Sequence, residues 1–163
     1  MALDKNAELL GSVPLFHGLA VEQLTAIATK SKKSFFEANA TILSSGTQGQ
    51  TAYLILSGRA VTKPREGSRL EAEPLEAGTL IGEMAMLVET EYTLDVVAES
   101  RVRALAISRD ELFEVMEDDP SIAHHLSEQI TERLIFLACD LREVDQRFAM
   151  LEATLDNVIA SVG

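Results

Sequence analysis

The residues best suited to bind a small ligand are Gly82, Glu83, Met84 and Ala85, which open the segment GEMAML. A glycine before a short helix leaves backbone N–H groups unpaired at the positive end of the helix dipole, so these groups can hold an anion. A carboxylate at the mouth of such a site can accept a hydrogen bond from a ligand hydroxyl. The alternative is an ordinary turn with an acidic residue in the first turn of a helix, which the dipole also favours.

The histidines and the single cysteine do not form a pattern typical of an enzyme. His124 and His125 are adjacent in a helical stretch and therefore point apart, while His17 lies in an N-terminal turn. Cys139 is alone, so it can form neither an internal disulfide nor the cysteine set of an iron–sulfur cluster. Because enzyme chemistry needs a nucleophile with a base or a set of metal ligands, we expect no enzyme activity, no metal ion and no cofactor.

The net charge of −12 makes a nucleic acid an unfavourable partner, because affinity for phosphate backbones comes from Lys and Arg. The only basic cluster, Lys30, Lys32 and Lys33, is typical of a solvated helix end. No apolar run approaches the roughly 18 residues that a membrane span needs, and the N-terminus lacks the features of a secretory signal. We expect a cytoplasmic protein with no nucleic-acid and no membrane partner.

The elements that must position the segment GEMAML are predicted from the apolar pattern. Short helical groupings between residues 6 and 33, broken by Gly11, Pro14 and Gly18, predict two short helices joined by a turn. From about residue 34 to residue 108, brief runs rich in β-branched and aromatic residues alternate with turn residues, which indicates an antiparallel sandwich or barrel. A helix at about residues 110–116 follows and ends before Pro120.

A long C-terminal helix is predicted from residue 121 to about residue 161, a stretch without Pro or Gly. A parallel coiled-coil homodimer would use apolar positions spaced alternately four and three residues apart, namely Leu134, Leu137, Leu141, Val144, Phe148, Leu151 and Leu155. The helix could instead lie on its own domain, but the whole periodic stretch from Ile130 to Val158, about 29 residues at 1.5 Å each, reaches roughly 43 Å, longer than a domain of this size can cover. We therefore predict a β-domain with N-terminal helices in residues 1–120 and a dimerisation helix in residues 121–163.

Three segments carry a family resemblance: VPLFHGLAVEQL at residues 13–24, GTQGQTAYLILSG at residues 46–58 and GEMAML at residues 82–87. In these segments the chain resembles the cyclic nucleotide-binding domain family, which includes the sensor domain of catabolite-activator-type regulators. The resemblance covers roughly residues 9–134. It implies an α+β, mainly β fold, an antiparallel eight-stranded jelly roll flanked by helices. It also implies that the amides of Glu83, Met84 and Ala85 face a cyclic phosphate, and that Glu83 accepts a hydrogen bond from the ribose.

The sequence departs from the family pattern at Glu91-Tyr92, where the family has Pro-Arg. Because a charge-assisted hydrogen bond contributes about 1.5–3 kcal/mol, loss of the guanidinium costs about ten- to several-hundredfold in affinity. Glu89, Glu91 and Asp95 add negative charge that repels a phosphate. Tyr92 and Thr93 offer hydroxyls without charge. We therefore expect weakened or lost binding of cAMP and cGMP, with no saturable cAMP binding below roughly 100 μM.

Two alternatives stay open at this point. The chain could be a functional cyclic nucleotide receptor, or a receptor for another small anion, in which Arg101 or Arg103 supplies the cation. It could also be the sensor half of a catabolite-activator-type transcription regulator without its DNA-binding domain. We expect no helix-turn-helix, because the chain ends within or just after the long helix, provided that no reading frame continues past Gly163. An effector protein of unknown identity would receive the signal.

Overall fold

Helices stand at both ends of the chain and strands occupy its middle. The structure, a computed structural model, describes residues 4–162. Helix α1 (Lys5–Ser12) and helix α2 (Val21–Lys30) are joined by a 3₁₀ turn at Pro14–Phe16, which confirms the two predicted N-terminal helices. Helix α3 (Arg109–Asp118) and the long helix α4 (Pro120–Val162) follow the strands.

Ten antiparallel strands are found among the described residues. They are β1 (Lys32–Phe36), β2 (Thr41–Leu43), β3 (Gln48–Gly49), β4 (Thr51–Ser57), β5 (Ala60–Lys63), β6 (Pro74–Leu75), β7 (Leu80–Ile81), β8 (Thr90–Glu91), β9 (Asp95–Ala98) and β10 (Val102–Ser108). Eight of them form two four-stranded sheets, in the orders β1-β10-β4-β7 and β2-β9-β5-β6. The mainly β, jelly-roll-type prediction is confirmed, and the pair β3-β8 adds two short strands to the eight that we predicted.

The core between the two larger sheets is formed by buried apolar side chains of both. Strand β4 contributes Ile55, while strand β9 contributes Val96 and Ala98. Because successive side chains of a strand point to opposite faces, Ala52 and Leu54 of β4 are buried on the other face of its sheet. The two sheets thus enclose an apolar layer.

The turn between β4 and β5 requires a glycine. Gly58 has a φ of +92°, and a Cβ added there would lie 2.2 Å from the carbonyl oxygen of Arg101. A side chain would therefore clash with the backbone as well as strain the dihedral angle. This close approach brings the β4–β5 turn against the turn before β10.

Helix α3 begins with a reciprocal capping box. The Ser108 hydroxyl accepts a hydrogen bond from the Glu111 amide, and the Glu111 carboxylate accepts one from the Ser108 amide, each at 3.2 Å. Lys32 lies 3.3 Å from the Glu111 carboxylate, and Lys30 lies 2.9 Å from Glu114. Two lysines of the basic cluster thus form ion pairs with α3. The prediction of no nucleic-acid partner rests on the net charge of the chain.

The described residues up to Ala123 form one compact unit and those from His124 onward form a second, so the boundary falls within α4. We call Leu134, Leu137, Leu141, Val144, Phe148, Leu151 and Leu155 the apolar seam. Their exposed fractions range from 44% to 65% in the single chain. None of the helices within residues 4–162 combines the length and apolar character needed to cross a membrane. The division into residues 1–120 and 121–163 stays a prediction.

Candidate ligand-binding site

The candidate site is built around a tight turn, residues 82–86, which we call the Gly82 turn. Gly82 follows strand β7 with a left-handed backbone (φ 70°, ψ 26°) and begins a 3₁₀ turn at Glu83–Met86. Ala85 and Met86 are buried beneath the turn, whereas Met84 is exposed. The Ala85 amide donates to the Gly82 carbonyl at 3.0 Å, so this N–H closes the turn instead of facing a ligand.

An arginine side chain bonds to the backbone of the Gly82 turn. Arg109, the first residue of α3, donates to the carbonyl oxygen of Ala85 at 3.2 Å and to that of Gly49 at 2.9 Å. Its side chain is only 14% exposed, and Glu89 lies 3.8 Å away. A cation at the start of a helix is electrostatically unfavourable, so this placement depends on the two carbonyls. The sequence did not lead us to Arg109, although a cation at the start of a helix is unusual and could have indicated a specific role.

Tyr92 packs against the Gly82 turn. A Cβ built on Gly82 would come within 3.0 Å of the Tyr92 ring, and one on Gly49 would meet the same ring at 3.0 Å. The Tyr92 hydroxyl donates to the carbonyl oxygen of Thr51 at 2.7 Å. The proton that we expected Tyr92 to offer to a ligand is therefore bonded within the protein. Burial raises the pKa of the neighbouring Tyr53 hydroxyl, and the proximity of Tyr92 raises that pKa further.

All six predicted ligand-site residues, Gly82, Glu83, Met84, Ala85, Tyr92 and Thr93, line one cavity of about 390 Å³. Its other walls come from the strands of both larger sheets and the loops between them, and include Leu43, Thr62, Glu73, Leu75, Thr79, Leu80, Ile81 and Val96. Sequence analysis missed these residues because they are brought together only by the folding of the roll.

The electrostatic character of the cavity is negative. Three carboxylates, those of Glu73, Glu83 and Glu91, lie among the described residues that line it, and no Lys, Arg or His does. Of the predicted acidic set, only Glu91 lines the cavity. Glu89 lies 3.8 Å from Arg109 instead, and the Asp95 carboxylate accepts a hydrogen bond from the Ser45 amide at 2.7 Å. Three like charges in one cleft repel a phosphate, which lowers its affinity for the cavity.

The arginines nearest to these elements do not enter the cavity. Arg101 donates to the Glu37 carboxylate at 2.9 Å, a hydrogen bond that lowers the pKa of Glu37. Arg103 lies on β10 opposite Phe35 and does not line the cavity. Arg65 lines a separate open groove of about 610 Å³, which shares residues 90–94 with the cavity as a common wall. Its guanidinium donates to the Ser45 hydroxyl at 2.6 Å.

Metal chemistry finds no support in the part of the chain that the structure describes. Within residues 4–162, no three His, Cys, Asp or Glu side chains are grouped so that they could hold a metal ion. The site therefore consists of an apolar cavity, hydroxyls and carboxylates. Such a set of groups can bind an organic molecule.

Comparison with known proteins identifies the architecture. The family model described as "Cyclic nucleotide-binding domain" matches residues 33–119, which include the Gly82 turn and all of the strands from β2 to β10. This chain belongs to the cyclic nucleotide-binding domain family.

Individual relatives in the cyclic nucleotide-binding domain family agree with this assignment. The Cyclic AMP receptor protein of Thermus thermophilus is 31% identical over 123 residues, which are 74% of this chain and 57% of that protein. The cGMP-dependent protein kinase isozyme 1 of Drosophila melanogaster is 31% identical over 121 residues, which are 71% of this chain and 16% of the kinase. The crystal structure of the Thermus thermophilus Catabolite Activator Protein has a TM-score of 0.66 at 28% identity, with 82% of this chain and 63% of that chain covered.

Proposed function

We propose that this chain is a non-enzymatic regulatory domain that pairs with a second copy and has weakened or lost binding of cAMP and cGMP. Family membership supports a regulatory role, since its relatives include a cyclic AMP receptor and a cGMP-dependent kinase. The kinase resemblance covers only 16% of that protein, so catalysis is not part of the proposal. We expect a cytoplasmic location and an effector protein as the recipient of the signal, with no nucleic-acid or membrane partner.

The observation that carries the weakened binding is the charge of the cavity. Tyr92 stands where the family pattern has arginine, and the described residues that line the cavity include three carboxylates but no Lys, Arg or His. A cyclic phosphate would lose its charge-assisted hydrogen bonds and would also meet like charge. Since the Tyr92 ring packs against Gly82, two separate effects act against the phosphate: missing charge and filled space.

The pairing proposal rests on the apolar seam. Its seven residues expose apolar side chains over a continuous length of helix, which is unfavourable for a chain that stays alone in water. In a parallel two-fold pair, Arg147 meets Glu152 of the second copy, which helps, whereas Asp140 faces Asp145 and costs a little. A second copy is the occupant that the alternating four and three spacing predicts.

A second candidate, a functional cyclic nucleotide receptor, is favoured by Arg65. This guanidinium lies in the open groove that shares residues 90–94 with the cavity, so a movement of that wall would bring a cation to the ligand. Its hydrogen bond to Ser45 holds it away in the structure described. Replacement of Arg65 by Ala separates the two candidates, because only a receptor that uses Arg65 loses affinity for cAMP.

Calorimetric titration with cAMP and cGMP tests the proposed function. We expect no saturable binding by the wild-type chain below roughly 100 μM. The double variant Glu91→Pro with Tyr92→Arg removes one negative charge and adds one positive charge, so we expect at least about a tenfold gain in affinity.

The matched control is the double variant Glu91→Gln with Tyr92→Gln, which removes the same carboxylate and the same ring without adding a cation. A gain confined to the arginine variant assigns the defect to the missing cation, while an equal gain in both variants assigns it to the Glu91 carboxylate and the Tyr92 ring, which both variants remove. Saturable binding of cAMP by the wild type at low micromolar concentration contradicts the weakened-binding proposal and supports the receptor.

A further inference from the structure

The cavity retains groups that suit a ligand without a phosphate. Leu43, Leu75, Ile81 and Val96 form an apolar surface, on which a planar or apolar part of a ligand would be removed from water. Carboxylate oxygens lie around this surface, and carboxylates accept hydrogen bonds from hydroxyl and amino groups. The lining therefore matches an uncharged molecule that carries several donors.

One hydroxyl of the cavity wall is available to a ligand. Thr62 is only 9% exposed and lines the cavity, and its oxygen accepts a hydrogen bond from the Glu73 amide at 2.8 Å. Because a threonine hydroxyl can also donate one hydrogen bond, an acceptor atom of a molecule in the cavity can bond to Thr62.

Tyr92 determines which part of a ligand is excluded. Its ring touches the space beside Gly82 and Gly49, at the start of the Gly82 turn, and the hydrogen bond to Thr51 fixes the ring there. The start of this turn is the place where an anion would be bound by backbone amides. A bulky charged group must therefore displace the ring and also approach Glu83 and Glu91.

We propose that the cavity takes an uncharged nucleoside-like ligand, with an apolar ring system and hydroxyl donors, in preference to the corresponding cyclic nucleotide. This inference rests on the proposed function, because it assumes that the family's ligand cavity is the site. It adds a preference that the proposed function does not contain: removal of the phosphate increases affinity instead of reducing it.

Adenosine and cAMP provide the test, since they share the adenine and the ribose, and the cyclic phosphate of cAMP esterifies two ribose hydroxyls that adenosine leaves free as donors. In calorimetric titrations of the wild-type chain, we expect adenosine to bind at least about tenfold more tightly than cAMP. The variant Tyr92→Ala opens space beside Gly82, and we expect the preference for adenosine to fall at least about fivefold. The variant Glu91→Gln leaves the packing of Tyr92 intact and is the second test if the Tyr92 variant does not fold. For this variant we expect the preference for adenosine over cAMP to fall about threefold.

The outcomes separate this inference from the proposed function. If the wild type binds neither compound at millimolar concentration, the preference is wrong, while weakened cyclic nucleotide binding stands. If cAMP binds more weakly than roughly 100 μM but still more tightly than adenosine, the preference is again wrong and the proposed function stands. Tight binding of cAMP overturns both. An adenosine preference that is unchanged in Tyr92→Ala and in Glu91→Gln contradicts the assigned cause.

Discussion

Arg109 shows at the residue scale how one side chain maintains the shape of the candidate site. Two of its N–H groups are bonded to backbone carbonyls, one in the Gly82 turn and one in β3, and the side chain is largely buried. Without it, the carbonyls of Ala85 and Gly49 would be buried with fewer partners, which is costly. The site thus uses its buried arginine to hold the backbone and has none for a ligand among the described residues of the cavity.

We expect Arg109→Met to lower the free energy of unfolding by about 2–4 kcal/mol, because two hydrogen bonds from a charged group are lost. Arg109→Lys keeps the charge but cannot reach both carbonyls with a planar fork, so an intermediate loss of about 1–2 kcal/mol is expected. Urea denaturation followed by circular dichroism measures both. Arg103→Met, at an exposed position of β10, is the control and should change stability by less than about 0.5 kcal/mol. A loss at Arg109 no larger than this control would show that the two hydrogen bonds contribute little.

The residues of the site differ in how far the sequence could predict them. Gly82, Glu83 and Tyr92 were identifiable because they lie in one short segment with a family pattern. Thr62 and Glu73 were not, because their loop and strand reach the cavity only after β5 and β6 pair. The bond from Tyr92 to Thr51 joins residues 41 positions apart, and a side chain's direction over such a distance depends on packing rather than on spacing.

At the scale of elements, the strongly periodic segments were predictable and the shortest pairs were not. The runs that became β4, β10 and α4 carry many apolar residues in a regular period, which specifies the element locally. Strands β3 and β8 have two residues each and pair only with each other, so no periodic signal marks them. In the run RLEAEPL, only Pro74–Leu75 forms a strand, which pairs with Ala60 and Val61 of β5.

The capping box of α3 predicts an acid sensitivity that belongs to this element. Burial opposes ionisation of Glu111, but hydrogen bonds from Ser108 and the contact with Lys32 together lower its pKa. A carboxylate with a lowered pKa stabilises the fold above its unfolded pKa of about 4.3, and this stabilisation is lost as the pH falls below that value.

We therefore expect the free energy of unfolding, measured by urea denaturation, to fall further between pH 7 and pH 3.5 in the wild type than in Glu111→Gln. The expected difference between the two proteins is about 1 kcal/mol or less. Glu117→Gln, at an exposed position of the same helix, is the matched control and should follow the wild type. Hydrogen bonds to Asp119 from Ser121 and then Gln23 lower the pKa of Asp119. All three proteins are therefore expected to lose some stability at acid pH through Asp119 as well. Parallel curves for wild type and Glu111→Gln would contradict the role of the capping box.

At the scale of the whole molecule, the proposed pairing predicts a change of mass. We expect the wild type to scatter light as a species of twice 17.8 kDa, and the double variant Leu141→Asp with Leu151→Asp to scatter as a monomer. Two buried charges in the middle of the seam would be far too costly for the pair to form. Ala149→Asp with Ala153→Asp introduces the same charges on the same helix away from the seam, and this control should stay dimeric. A dimeric seam variant would show that another surface forms the interface.

The exposed seam of α4, together with the proposed pairing, would make the protein respond to its own abundance. An isolated helix is only marginally stable in water, so under this proposal much of the order in the residues of the seam would come from the second copy. By mass action, the fraction of chains with an ordered distal helix would then rise with the total concentration of the protein. Below the dissociation constant of the pair, this end of the chain would fray, and above it the helix would be continuous. The amount of protein, and not only a ligand, would thus set how many chains present a rigid rod to the proposed effector.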